Sequence, residues 1–489
     1  MGIRLRGVAM GASAAVCVSG CAGFFGDHGY HAQSPAAPAQ WVAQSEDAPP
    51  VPADWIAEFD DPVLDGLIGE ALRNNFYLRA AAARIDVAGA LARNARTPLL
   101  PTLTLNANWQ KNNQVFEPNN PLLGGTEVIE VDTTNLNWTG NVSWEADLWG
   151  RLRDAARAAE QDFIATHQDF EAARLSLAAQ VAQSWYAVVE GPQQVELGAS
   201  DVATRQRNGD LIERRYSRGL NASLDVRLAR NELSTTISTL AQSRQTLGEA
   251  VRALEILLGR YPAAEMEVGV TLPELTRPPS AGAPADVLAR RPDLRAAEAR
   301  IEAAGFRVKE ARKNLLPQLT LTGNVGPGGN SLDELFDGSR IMSTLAAGLA
   351  QPVVAGGAIK SQIRQNIAEA REAVFNYANL ALTAYQEAED ALAAERFLLA
   401  QQDALEYALE EAVAAQVLAE RQFERGLANV FNLLDAQDRK IAAQSALITV
   451  AGTRLNNRIS LYLAIGGGFV TPATQTADAD AEPAQESQA

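Results

Sequence analysis

The sequence predicts a mainly helical chain that also carries part of a β-barrel. Three observations predict it: the chain is written twice, each half holds a very long helical stretch, and four short segments alternate apolar and polar residues. The duplication organises the rest of the chain. Leu78-Arg79-Ala80-Ala81-Ala82-Ala83-Arg84-Ile85 recurs as Leu294-Arg295-Ala296-Ala297-Glu298-Ala299-Arg300-Ile301. In the same register Arg96 matches Arg312, and Leu99-Leu100-Pro101 matches Leu315-Leu316-Pro317. Gly150 then matches Gly357, and Arg218-Gly219-Leu220 matches Arg425-Gly426-Leu427. The spacing from Gly150 to Gly219 equals that from Gly357 to Gly426, whereas Pro101 to Gly150 is nine residues longer than Pro317 to Gly357. The extra length is expected in one connection, near Asn112 to Asn135. A repeat of this size is a duplicated domain and not a solenoid unit.

Each half has the same order of patterns. An Ala-rich helical stretch comes first, at 62–96 and 292–314, and Asp61-Pro62 offers the first an N-cap followed by proline at N1. A strand pair follows, then a very long helix, a glycine turn and another long helix. The first long stretch, 150–217, meets only Gly191-Pro192, where a kink is expected. Its counterpart, 358–425, has no proline. At 1.5 Å per residue each such helix would reach roughly 100 Å. Leu233, Leu240, Leu247 and Leu254 fall seven apart, with Ile237, Val251 and Leu258 beside them. Leu434, Ile441, Ile448, Leu455 and Tyr462 do the same in the second half, which predicts helix-on-helix packing.

The strand pairs locate the membrane. Leu103, Leu105, Ala107 and Trp109 alternate with Thr104, Asn106, Asn108 and Gln110. Leu136, Trp138, Val142, Trp144 and Leu148 alternate with Asn137, Thr139, Asn141, Ser143 and Glu145. Leu319, Leu321 and Val325 alternate with Gln318, Thr320, Thr322 and Asn324, and a fourth strand at 341–351 has only Leu345, Ala347 and Leu349 on a clear apolar face. Segments of about 10 residues with one apolar face suit a barrel with lipid outside and water inside, and Trp109, Trp138 and Trp144 suit its interfacial girdle. A half-buried soluble sheet alternates in the same way; the export and anchoring signal described next favours the membrane. Four strands leave two unpaired edges, which hydrocarbon does not tolerate, so several chains must combine to close one barrel.

The first twenty residues read as an export signal, with Arg4 and Arg6 before a short apolar stretch from Val8 to Val18. It ends Val18-Ser19-Gly20-Cys21, which matches the site where bacterial lipoproteins are acylated on cysteine and cut. Acyl chains on Cys21 would anchor the chain to outer-membrane lipid at about 0.8 kcal/mol per buried methylene, and Ala22 favours outer-membrane delivery. Cys17 lies inside the signal, so no disulfide is expected in the mature chain. The only histidines are His28, His31 and His167, and no metal-ligand spacing, Walker loop, nucleophile elbow or dinucleotide fingerprint occurs. No enzyme and no cofactor are expected beyond the covalent lipid on Cys21. The formal charge of −17 argues against nucleic acid. The tail 473–489 is rich in Ala, Asp, Glu and Gln and is expected to be disordered.

Arg290-Arg291-Pro292-Asp293-Leu294-Arg295-Ala296-Ala297-Glu298, Phe423-Glu424-Arg425-Gly426-Leu427, Asn432-Leu433-Leu434-Asp435-Ala436-Gln437 and the doubled Leu-Pro-strand junctions together carry a resemblance. From about Pro62 to Gly467 the chain resembles the TolC-like outer-membrane factors, in their lipoprotein branch with NodT-type proteins. The resemblance implies a homotrimer in the outer membrane, four strands per chain in one 12-stranded transmembrane barrel, and an α-helical tunnel across the periplasm. It also implies a periplasmic adaptor (membrane fusion) protein and an inner-membrane pump, commonly of the resistance-nodulation-division (RND) class, that drives passive exit of small molecules through the duct. On this resemblance Gly219, Leu220, Gly426 and Leu427 meet the adaptor, and Asp435 lines a constriction with Phe431, Asn432 and Asp438 nearby. The family's gate lock of tyrosine and arginine against an aspartate is altered: Phe423 and Ala428 stand at the first two positions and Asp225 at the third. Closure by apolar packing of Phe423 and Phe431 is therefore expected.

The expected organisation is a signal at 1–20, a lipid-anchored linker at 21–61, the first repeat at 62–259, a connecting segment at 260–285, the second repeat at 286–467 and an acidic tail at 468–489. The runner-up is a periplasmic structural or adaptor lipoprotein with long helical hairpins and no pore.

Overall fold

In the computed structural model the described residues are 30–44, 55–116, 129–266, 269, 271–275 and 281–467. Cys21 and the stretch expected to be its signal, and the acidic tail, lie outside them. The helices are α1 (Pro62–Asn74), α2 (Phe76–Arg96), α3 (Arg151–Ser217), α4 (Ser223–Leu257), α5 (Pro284–Arg290), α6 (Pro292–Lys313), α7 (Ala358–Glu424) and α8 (Val430–Ala464). The strands are β1 (Thr102–Phe116), β2 (Ile129–Ala146), β3 (Gln318–Gly329) and β4 (Ile341–Ala350). Two compact units result, and each draws on both sequence repeats: one holds Asp86–Thr166 with Ala297–Asn376, the other Ser34–Ile85 with His167–Ala296 and Tyr377 onward.

The first unit contains the sheet, antiparallel throughout in the order β1-β2-β3-β4. Its register puts the apolar sets of all four strands on one face. Leu103 pairs with Val142 and Trp109 with Leu136, Trp144 with Leu321, and Leu319 with Leu349 and Gly323 with Leu345. Thr104 opposite Asn141 and Asn141 opposite Asn324 occupy the other face. The apolar face is open: Leu105 is 72% and Leu345 86% exposed. Among the described residues β1 and β4 each pair on one side only.

Two sequence expectations are corrected here. The segment near Asn112 to Asn135, expected as a connection, is strand at both of its ends: β1 and β2 stay paired through Asn112↔Thr133 to Phe116↔Ile129. Polar cross-strand pairs hold this extension, with Asn113 Nδ2 donating to Asp132 Oδ1 at 2.8 Å. Leu148 falls outside β2, because Asp147 turns from strand to cap and accepts from the Leu152 and Arg153 amides at 3.1 Å each. Gly150, at φ +76°, makes the reversal into α3. Within the same unit Lys313 Nζ reaches Asp154 at 2.5 Å, and Trp149 Nε1 donates to the Pro317 carbonyl at 2.7 Å.

In the second unit the expected interruption at Gly191-Pro192 leaves α3 helical throughout. Gly191 is needed for another reason: a Cβ there would stand 2.6 Å from Leu247 Cδ1, and one at Gly198 would stand 3.3 Å from Leu240 Cδ1. Two glycines seven apart on α3 therefore receive two leucines seven apart on α4, as knobs into holes. The heptad is buried most fully toward the C-terminal ends, where Leu254, Leu258, Leu455 and Tyr462 lie, whereas Ile237 is exposed. That end also seats residues placed in the linker by sequence. Trp55 stacks on Tyr462 at 5.8 Å, Glu58 pairs with the fully buried Arg458 at 2.5 Å, and Glu389 accepts the Val42 and Ala43 amides at 2.8 and 3.0 Å.

The open apolar face gives a first prediction. Leu105→Arg is expected to cost about 2–4 kcal/mol if the face meets hydrocarbon, read as lost heat-resistant, folded protein in detergent, while Asn106→Arg on the opposite face leaves the yield near wild type.

Candidate functional site

Two helical hairpins in the second unit end in matching turns, and the predicted site residues other than Cys21 lie at or near them. Cys21 is outside the described residues. In the first turn the Gly219 amide donates to the Tyr216 carbonyl at 2.8 Å and the Leu220 amide to the Arg215 carbonyl at 2.9 Å. In the second the Gly426 amide donates to Phe423 at 3.0 Å and the Leu427 amide to Gln422 at 2.8 Å. Gly219 and Gly426 hold φ of +76° and +74°, the left-handed conformation that closes a helix C-terminus and favours glycine. Around Gly219 no atom lies within 4 Å of an added Cβ, so its conformation and not crowding requires glycine. Leu220 and Leu427 project into solvent beside these turns.

The helices that leave the turns are capped differently. Asn429 accepts the Asn432 amide at 2.9 Å to start α8. For α4, Asp225 reaches back to the Ala222 amide at 3.0 Å and takes a bond from Asn221 Nδ2 at 2.9 Å. Arg215 Nε in turn donates to Asn221 Oδ1 at 2.8 Å. Asp225 is thus engaged at its own helix start.

Phe423 and Phe431 do not meet. Phe423 is 2% exposed and packs with Ile212, Ala229, Val430 and Leu433, between the two hairpins of one chain. The Arg215 guanidinium covers its ring at 5.0 Å from the centroid, an arrangement that attracts a cation to the ring face. Phe431 is 67% exposed. The expected packing of the two rings on each other is not formed within one chain: Phe423 belongs to the inter-hairpin core, and Phe431 is open on the hairpin surface. Asn432 is exposed beside it. Asp435 does not stand unpaired, since Arg439 Nε contacts it at 2.9 Å one turn along α8.

Asp438 is drawn into a network that sequence reasoning missed. Arg205 on α3, its side chain 2% exposed, bonds Asp201 at 3.0 Å and also Asp438, with Glu232 of α4 at 3.7 Å. Burial pushes the Asp201 carboxyl above the ordinary range, and the neighbouring guanidinium pulls it back only part way. Burial disfavours charge on Arg205 as well, but Asp201 and Asp438 more than offset it and hold the guanidinium above its usual value. One turn nearer the tip, Asn208 Nδ2 donates to Gln437 Oε1 at 2.9 Å. Three helices are thereby fastened through one arginine. No sequence signal separated it from the many arginines on solvated helix faces. Among the described residues no cluster of histidine, cysteine and carboxylate side chains could hold a metal.

Among the described residues the chain combines a sheet with one open apolar face and two unpaired edges with two glycine-turned helical hairpins, parts that suit a channel subunit of an outer membrane. Residues 67–260 and 283–467 match the outer membrane efflux protein family, and the chain belongs to it. It is 29% identical over 411 residues to the toluene efflux pump outer membrane protein TtgF of Pseudomonas putida, with 84% of each chain covered. With the pyoverdine export outer membrane protein OpmQ of Pseudomonas aeruginosa it shares 30% identity over 439 residues, 89% of this chain and 92% of the relative. The crystal structure of the outer membrane protein VceC of Vibrio cholerae matches with a TM-score of 0.77 at 26% identity, over 86% of this chain and all of that one. The protein is accordingly an outer-membrane efflux channel of the channel-tunnel architecture, and the pore-free lipoprotein reading gives way to it.

Arg205→Met would leave Asp201 buried without its cation, at a cost of about 3–5 kcal/mol. A lowered thermal midpoint is expected, with most of the loss recovered by adding Asp201→Asn.

Proposed function

We propose that this chain is the passive exit duct of a tripartite efflux system. Three copies close one barrel of twelve strands, and their hairpins continue as a tunnel to the tips at Gly219 and Gly426. The observation that carries this reading is the four-stranded sheet, whose apolar face is open and whose edge strands β1 and β4 have no second neighbour among the described residues. Exposed backbone donors and acceptors in lipid cost several kcal/mol each, so the sheet is stable in a membrane only when other copies complete it. Energy comes from an inner-membrane pump, of the RND class, through a periplasmic adaptor that meets Leu220 and Leu427 at the turns. Acylated Cys21 adds an anchor to a chain that the barrel already holds. The duct itself does no chemistry.

At the periplasmic end we assign the constriction to Phe431, Asn432 and Asp435 of three copies around one axis. Arg439 beside each Asp435 reduces the local negative charge, so apolar Phe431 carries more of the closure than carboxylate repulsion does. The relatives named above are named for toluene and for pyoverdine, two very different molecules. That contrast supports a duct whose cargo is chosen by the pump.

In planar bilayers the purified protein is expected to insert and conduct. Phe431→Ala is expected to raise single-channel conductance or open probability several-fold, with a smaller effect from Asp435→Asn on cation preference. A protein that never conducts would overturn the duct, and an unchanged Phe431→Ala channel would overturn the assigned constriction.

A further inference from the structure

The chain is strongly acidic overall, yet the turn of its first hairpin is not. From Arg205 to Arg230 there are seven arginines against three carboxylates, in a chain of formal charge −17. The three carboxylates are already occupied: Asp210 accepts from Gln206 at 3.0 Å, Glu213 pairs with Arg230 at 2.8 Å, and Asp225 caps α4. Arg214, Arg218 and Arg227 are exposed, and among the described residues their guanidinium groups have no partner. The Glu213–Arg230 pair aligns the two helices of this hairpin, so Arg214 and Arg227 sit within a turn or so of the same crossing. Arg214 lies in the last turn of α3, and Arg218 follows directly after its end, in the turn.

These arginines surround apolar side chains that also lack cover. Leu220 and Leu224 are exposed at the first turn, and Leu427 at the second, where exposed Arg425 repeats the position of Arg218. Cations near a helix C-terminus are favoured by the helix dipole, which accounts for Arg214 locally. It does not account for Arg227, which stands near the N-terminus of α4, where the dipole opposes a positive charge. Unpaired arginines around apolar anchors are the composition of a binding surface, and their sign selects the partner.

We propose that the hairpin tips dock an acidic surface on the periplasmic adaptor. Arg214, Arg218 and Arg227 of the first hairpin meet carboxylates that ring an apolar contact with Leu220 and Leu427. The inference rests on the adaptor reading given above and adds the charge of the partner and the hairpin that reads it. Complementary charge at such a rim sets the association rate and rejects wrong partners more than it adds affinity.

The test uses the full-length protein in detergent and the purified, lipid-free adaptor of its own pump, with binding measured from about 50 to about 300 mM salt. For wild type, affinity should fall steeply with salt. R218E/R227E should bind at least about tenfold more weakly at low salt, mostly through slower association, and lose the salt dependence. R218Q/R227Q should lie between them, and L220A/L427A should weaken binding without changing the salt slope. Size-exclusion profiles matching wild type keep a folding defect apart from a binding one. Charge reversal within about twofold of wild type, with the leucine variants impaired, would overturn the acidic-partner inference and leave the docking reading standing. No binding by wild type at any salt, or intact binding by the leucine variants, would overturn the docking reading and this inference with it.

Discussion

Unpaired backbone at a sheet edge, with no water to satisfy it, is the constraint on which the rest of this protein depends. The described residues of one chain supply four strands with a single open apolar face, and a sheet of that kind has no stable form in a bilayer by itself. Closure must come from other copies. Once closure is intermolecular, the polar face of Thr104, Asn141 and Asn324 becomes the lining of a shared lumen and no longer a surface open on its own. The duplication fits the same constraint, because each repeat contributes one hairpin of strands and one of helices, and neither repeat has enough of either to enclose a path.

The helical part solves a different problem with the same economy of parts. Long hairpins need close interhelical contact without large side chains in the way, and Gly191 and Gly198 provide it by receiving Leu247 and Leu240. Farther along, the hairpins are fastened to each other by a polar device, Arg205 with Asp201 and Asp438. Breaking one partner of a buried ion pair is expensive, whereas the intact pair adds little net stability. Loss of a partner from such a link is therefore penalised more than its presence is rewarded. The link stands two to three turns from the exposed Phe431, so the residues assigned to the constriction and the residues that hold the hairpins together are separate sets.

Much of this was legible in the sequence, and the misreadings have physical causes. Period-two alternation marked all four strands, and a period of seven marked the helices, because burial on one face imposes both patterns. The outer halves of β1 and β2 were not legible. Asn112, Asn113 and Asp132 are turn-forming residues by composition, and pairing across the hairpin keeps them extended. Tyr216 and Phe423 occupy equivalent repeat positions, yet the first is exposed and the second is core. A repeat register cannot carry that difference, since it arises from how one hairpin packs on the other. Arg205 was invisible for the same reason: a mid-helix arginine declares its burial only in three dimensions. Residues 55–59 read as linker because a short run holding Trp55 and Phe59 has no period, although both rings sit in the core.

The central claim is that the sheet is completed by identical chains, and native mass spectrometry of the detergent-extracted, unheated protein tests it most directly. The account predicts a complex of three copies, so that three sets of four strands close one barrel. A folded, detergent-stable monomer would contradict it, because that chain would be holding two sheet edges open to hydrocarbon.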